Sequence, residues 1–224
     1  MRRDYLAPGE YYHVFNRGNN KQDIFADQKD WIRLLFLIIY FQSPVSFYNM
    51  SRQTSYFVKH RMFNIPREIE SEIIKKRTIG LVGFTLMPNH FHLILQELKE
   101  GGISKYIQRI LNAYTKYFNT KHEKIGHLFQ GPYKIVHVDN NQQLLYLSTY
   151  VHRNSRDLKN WRNKETSYPW SSYQDYAIKN RWGELLKNQI IMDQFKNSDD
   201  YKYFVETSPA KNYLNKELII DFNS

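Results

Sequence analysis

Apolar and polar residues along this chain fall into a few recognisable periods. YYHVFNR (11–17) alternates and is rich in β-formers, which predicts a strand, and RGNN (17–20) at its end predicts a turn. Asp27 or Asp30 can cap a helix through WIRLLFLIIYF (31–41), whose apolar run reads as a buried helix. Residues 42–78 are polar and mixed, and predict a loop with one short helix near 66–76. IGLVGFTL (79–86) and HFHLILQ (90–96) predict two strands joined through MPN as a short hairpin. After the GG break at 101–102, ISKYIQRILNAYTKYFN (103–119) places apolar residues at 103, 106/107, 110/111, 114 and 117/118, which is helical spacing. YKIVHV (133–138) predicts a further strand, and NNQQLLYLSTYVHRN (140–154), opening on an asparagine cap, predicts a further helix.

The order is β-α-β-β-α-β followed by a helix. It predicts an α+β, ferredoxin-like fold (split βαβ, the architecture also of RRM domains): one antiparallel sheet with helices on one face. The boundaries read as a domain over 8–154 interrupted by the insertion 42–78, then a polar, aromatic-rich C-terminal extension over 155–224 with a helix or two.

Composition adds a core and a charge. Hydrophobic residues make 42% of the 224, and aromatics alone 16%, enough for a substantial core. Thirty-two Lys and Arg against 22 Asp and Glu leave a net charge of +10, which favours a polyanionic partner, nucleic acid or an anionic surface. Having no cysteine excludes disulfides and thiolate metal sites and makes a reducing cytosol the natural setting. The N-terminus MRRDYLAPGEYYHV has no apolar signal core, and the apolar stretch 34–41 is too short to span a bilayer. The expectation is a soluble, cytoplasmic protein with no membrane partner.

The candidate chemistry begins at LMPNHFHLIL (86–95). In a strand, residues i and i+2 share a face, so His90, His92 and Ile94 point one way and Phe91, Leu93 and Leu95 the other. Two imidazoles about 6–7 Å apart along a strand can converge on one divalent ion. Imidazole suits Mn, Zn, Ni or Fe, and tolerates Mg when oxygen ligands complete the shell. On the helix 140–154, Tyr150 and Asn154 are i and i+4 and share a face, offering a hydroxyl nucleophile and a hard amide oxygen. By spacing alone the histidines also read as polar surface, and Tyr150 as one of 18 tyrosines packing a helix. Tyr114 lies on the apolar stripe of the middle helix and reads as core, whereas His127 and His137 have no partner spacing.

These stretches resemble a family. LMPNHFHLIL resembles the HUH motif (His, bulky hydrophobic, His) of single-tyrosine transposases, and in particular the REP-associated tyrosine transposases, relatives of the small insertion-sequence-200-like transposases. YHVFNRGNNKQDIF (12–25), ISKYIQRILNAYTKYFNTKHEKIGHLFQGPYK (103–134), LLYLSTYVHRN (144–154) and YPWSSYQDY (168–176) are similar to family stretches in the same order. The chain departs from the family where Asn154-Ser155 replaces Asn-Pro, where Gly131-Pro132-Tyr133 replaces Gly-Arg-Tyr, and in the longer segment 42–78.

The resemblance implies a metal-dependent enzyme that cleaves and rejoins single-stranded, hairpin-bearing DNA. Tyr150 is implied as the nucleophile forming a 5′-phosphotyrosine, and His90, His92 and Asn154 as ligands of Mg or Mn. A homodimer that shares its sites occurs in part of the family. Arg17, Lys105, Arg109, Lys116 and Lys134 are the expected DNA contacts, with Lys121 and Lys124 in the same basic cluster. Three alternatives stay open: a non-catalytic RRM-like nucleic-acid binder, although no RNP1-type pattern is present; a domesticated family member acting on chromosomal repeats; and a metal-dependent hydrolase that uses water and dispenses with Tyr150.

Overall fold

The computed structural model describes residues 6–47 and 49–218. Its centre is a four-stranded antiparallel sheet in the order β2-β3-β1-β4. The strands are β1 (Tyr11–Arg17), β2 (Ile79–Met87), β3 (His90–Glu97) and β4 (Lys134–His137). Pro88 and Asn89 make the two-residue turn of the β2–β3 hairpin, since Met87 pairs with His90. In register, Phe15 and Thr85 flank His92, and Arg17 and Met87 flank His90. This is the expected α+β, ferredoxin-like sheet.

Helices α1 (Gln28–Tyr40) and α4 (Gly102–Lys121) pack together on the face that carries Phe91, Leu93 and Leu95. Of the two candidate caps of α1, Asp27 is the one used. Its carboxylate accepts from Lys29 N and Asp30 N, while Asp30 returns the bond to the backbone of residue 27 as a capping box. Lys121 then binds both carboxylates, at 2.7 and 2.6 Å, and His122 meets Asp30 at 2.9 Å, so the fully buried Asp30 is charge-matched. The Tyr106 and Tyr114 hydroxyls donate to the carbonyls of Ile38 and Ile24, both at 2.6 Å. Tyr114 is therefore a core residue, as its stripe position indicates.

The insertion differs from expectation. It holds two helices, α2 (Met50–His60) and α3 (Arg67–Lys76), rather than one. The sequence hides α2 because only Thr54 and Phe57 of it are buried and no side chain caps it. Asn49, left-handed at φ 57°, turns the chain into it.

Helix α5 (Asn141–Arg153) covers the other face of the sheet, the one carrying His90 and His92, so helices lie on both faces. The Asn140 side chain caps it by accepting from Gln143 N. A 3-10 turn (Asn154–Asp157) continues it directly, with Ser155 buried.

Residues after 157 wrap the sheet edge. The backbone of Leu86 donates to Trp170 O, Ser172 donates to Phe84 O and Lys187 donates to Leu81 O, at 2.8–2.9 Å, so the free edge of β2 is paired off. Short helices α6 (Tyr173–Ala177), α7 (Gln189–Met192), α8 (Ser198–Thr207) and α9 (Ala210–Tyr213) follow. Buried His152 ties α5 to this wrap: its Nδ1 lies 2.7 Å from the Tyr201 hydroxyl and its Nε2 2.8 Å from Ser172 Oγ. Among the described residues no helix is long and apolar enough to cross a membrane.

Candidate active site

The face of the sheet beneath α5 gathers three histidines rather than two. His92 is central and fully buried, His90 lies beside the hairpin turn, and His13 comes from β1. Nε2 of His13 and Nδ1 of His92 are 2.9 Å apart, with rings stacked at 5.0 Å and 21°. The His90 ring stands edge-on to His92 at 5.1 Å. Above them sits the Tyr150 ring, 5.5 Å from His92 and 6.1 Å from His13, edge-on to both. The spacing of four between Tyr150 and Asn154 brings the amide to the same opening, and Asn154 Oδ1 lies 3.4 Å from His90 Nε2.

The hydrogen-bond partners fix which atoms face inward. His90 Nδ1 is 2.7 Å from Asn89 Oδ1, which only accepts, so the proton is on Nδ1 and Nε2 carries the lone pair. Asn154 Nδ2 donates to the Tyr150 carbonyl at 3.1 Å, so its Oδ1 is the atom turned toward His90. Two acceptors thus face one another across 3.4 Å. Ligand atoms about 2.1 Å from one ion are spaced by roughly this much.

Burial keeps the rings neutral, which a ligand must be. It pushes the pKa of His90 down to about 4, opposed by the Asn154 oxygen, which accepts only from the protonated ring, and assisted by the charge of Arg17. Burial also holds His92 well below the ordinary histidine range, with His13 and His90 adding to the shift. His13 is lowered to about 3 by burial, against a smaller upward pull from the Leu218 backbone. These residues fit a divalent cation held by imidazole and amide oxygen. Among the described residues no group of three or more His, Cys, Asp or Glu is placed to hold a metal.

The site opens into a cavity of about 470 Å³. Its walls are the 87–90 turn with Asp23, the Tyr150–Leu158 stretch, and Ser208–Asn212 of the extension. Arg153 donates to Ser208 O at 2.7 Å and Arg156 pairs with Glu165 at 2.6 Å, so two guanidiniums edge the opening. Tyr150, His90 and Asn154 all line it, from a single chain.

The expected DNA contacts separate. Arg17 pairs with His90 and Lys134 with Phe15, and both register positions share the histidine face, with Lys134 exposed. Lys105 and Lys116 are exposed on α4, across the sheet from the site. Arg109 is turned inward: its Nη1 donates to Ser43 O at 2.6 Å and its guanidinium lies over Phe41. His127 is exposed, and His137 sits at the surface between Glu10 and Asp139. The residue that sequence reasoning missed is His13. Its signal was present in YYHVFNR, because antiparallel pairing of that strand with HFHLILQ sets position 13 on the face of His92.

Residues 46–154 match the family described as Transposase IS200 like, a span that contains His90, His92, Tyr150 and Asn154. No curated protein sequence matches the chain. Among solved structures, the chain is similar to one described as the REP-associated tyrosine transposase bound to a REP hairpin. Identity is 16%, coverage is 79% of this chain and 83% of that one, and the TM-score is 0.50. Over residues 46–154 the chain is therefore similar to IS200-like transposases, and its fold is similar to that of the solved REP-associated structure.

Proposed function

We propose that this protein cleaves and rejoins single-stranded DNA next to a hairpin, through a covalent 5′-phosphotyrosine at Tyr150. The observation that carries the reading is the convergence, in one cavity, of Tyr150 with two facing acceptors, His90 Nε2 and Asn154 Oδ1. The hairpin as substrate rests on the structural relative, whose bound DNA is a REP hairpin.

In the forward step the Tyr150 oxygen bonds to phosphorus as the bond to the 3′ oxygen breaks. The tyrosine gives up its proton and the departing 3′ oxygen takes one. The reverse step, with another 3′-hydroxyl, rejoins strands and frees the tyrosine. No water or nucleotide is consumed, because the phosphodiester is kept as a phosphotyrosine ester. A divalent ion held by His90, His92 and Asn154 would polarise a non-bridging phosphate oxygen and offset the charge of an in-line displacement. The protein's own part is to aim Tyr150 over that position, keep the imidazoles neutral, and ring the cavity with Arg153 and Arg156 toward the phosphates.

Covalent capture tests this reading. Labelled hairpin oligonucleotides with single-stranded flanks are incubated with protein and Mn or Mg, then denatured and resolved by gel. A shifted protein band is expected for the wild type and for Tyr117→Phe, and none for Tyr150→Phe or His92→Ala. Cleavage that persists in Tyr150→Phe would assign the attack to water or another residue.

A further inference from the structure

The Tyr150 cavity is larger than the cleavage chemistry needs. The five heavy atoms of a phosphate, at no more than about 30 Å³ each, leave most of its 470 Å³ open. Its size falls within the range of roughly 300–1,000 Å³ of sites that enclose a small organic ligand. The lining is also mixed in a way that a phosphate does not require. Pro88, Leu158 and Pro209, from three separate segments, give it carbon surface, while Arg153, Arg156 and Lys211 bring cations from α5 and the extension.

Asp23, on the loop between β1 and α1, lines the same cavity. Among the described residues its exposed carboxylate has no hydrogen bond or ion pair. The residues on either side of it are fixed. Asn89 Nδ2 donates to Lys21 O at 3.2 Å, Ile24 N donates to Pro88 O at 2.9 Å, and the Tyr114 hydroxyl donates to Ile24 O at 2.6 Å. The backbone therefore holds Asp23 beside the hairpin turn that carries His90. Asp157, the other carboxylate of the lining, shares its 3-10 turn with Arg156, whereas Asp23 comes from a segment that brings no cation to the lining. A carboxylate repels a phosphate, so Asp23 is unfavourable in a cavity for a DNA strand unless a donor meets it. On single-stranded DNA the exposed donors are on the bases, above all the exocyclic amino groups of adenine, cytosine and guanine, which thymine lacks.

We propose that the cavity holds one unpaired nucleotide next to the phosphate that Tyr150 attacks, and that Asp23 selects a base with an exocyclic amino group there. This rests on the single-stranded DNA cleavage reading above. The base lies against the carbon surface of Pro88, Leu158 and Pro209, its amino group donates to Asp23, and its phosphates face Arg153, Arg156 and Lys211. A contact of this kind separates the right base from the wrong one by about 5- to 150-fold.

The test uses the full chain. Adduct fragments from labelled hairpin oligonucleotides first locate the cleaved bond. Anisotropy in EDTA then compares fluorescein-labelled oligonucleotides carrying each base on either side of that bond, and the preferred base with its amino group replaced by hydrogen. The wild type is expected to bind the amino-bearing base about 5- to 150-fold more tightly than thymine or the base without its amino group. Asp23→Ala is expected to level these affinities without weakening the thymine oligonucleotide, since a negative charge is gone. Asp23→Glu keeps a carboxylate and is expected to retain a preference of the same sign. A wild type that forms the adduct but binds all bases alike overturns the subsite alone. So does an Asp23→Ala variant that keeps the preference or shifts every oligonucleotide by one factor. A changed Mn concentration for half-maximal adduct, with base preference intact, assigns Asp23 to a divalent ion and also overturns the subsite. A wild type that forms no adduct on any oligonucleotide overturns both the subsite and the proposed function.

Discussion

At the residue scale the site is a set of protonation and orientation choices. Asn89 places the His90 proton on Nδ1, and His13 engages Nδ1 of His92. A partner on the far nitrogen of a metal-binding histidine typically changes metal affinity 10–100-fold when lost. His13→Gln is accordingly expected to raise the Mn concentration for half-maximal adduct by about 10–100-fold while leaving adduct formation intact at saturating Mn. An unchanged Mn titration would remove His13 from this role. The basic residues divide in the same way. Arg17→Ala and Lys134→Ala are expected to reduce DNA affinity and flatten its salt dependence by about one unit of slope each. Arg109→Ala is expected to lower the unfolding midpoint and leave that slope alone, because its guanidinium is held by the carbonyls of residues 41–45. Sequence spacing paired His90 with His92 and Tyr150 with Asn154 because each pair lies within one element, while the roles expected of them came from the family resemblance. His13 escaped it because its partner is on another strand, 79 positions away.

At the element scale the hairpin turn and the loop after β1 decide where His90 sits. Gly18 N donates to Asn89 O, and a Cβ at Gly18 would stand 2.0 Å from Gln22 O, so any side chain there forces the turn apart. Gly18→Ala is expected to cost about 1–3 kcal/mol in urea unfolding, and also to lower adduct yield. Full stability and full yield together would show that the turn reshapes freely. Strands and the long helices were legible from period because each buries one face. Helix α2 was not, since two buried residues leave almost no stripe to read. That α5 lies on the histidine face was likewise invisible, because a helix pattern states which side is apolar and not which sheet face receives it.

At the scale of the whole molecule, one core runs from α1 through the sheet to the extension, and it encloses neutral imidazoles. His13 and His152 have folded pKa values of about 3, and His90 about 4, against an ordinary 6.5. Depressed histidines are neutral when folded and protonated when unfolded between those values, so the unfolded chain binds more protons there. Their contribution is complete above pH 6.5 and is lost as pH falls through 6.5 toward 4 and 3. The urea midpoint is therefore expected to fall from pH 7 to pH 5, before carboxylates titrate, and a flat midpoint over that window would contradict the burial of these rings. The extension closes the outer edge of β2 through Trp170, Ser172 and Lys187. A chain ending at residue 157 is expected to aggregate where the full chain stays soluble, as sedimentation would show, because that edge and the back of α5 are then uncovered. The sequence by itself determined the basic balance, which is composition, and the strands, the main helices and the His-x-His and Tyr-x-x-x-Asn spacings, which are periodicities within single elements. Only the tertiary structure decided that these pairs meet on one face of the sheet, that His13 joins them, and that the C-terminal segment walls the cavity above His90, Tyr150 and Asn154. Those facts depend on strand register and on which sheet face α5 covers, contacts between residues far apart in sequence that no local period encodes.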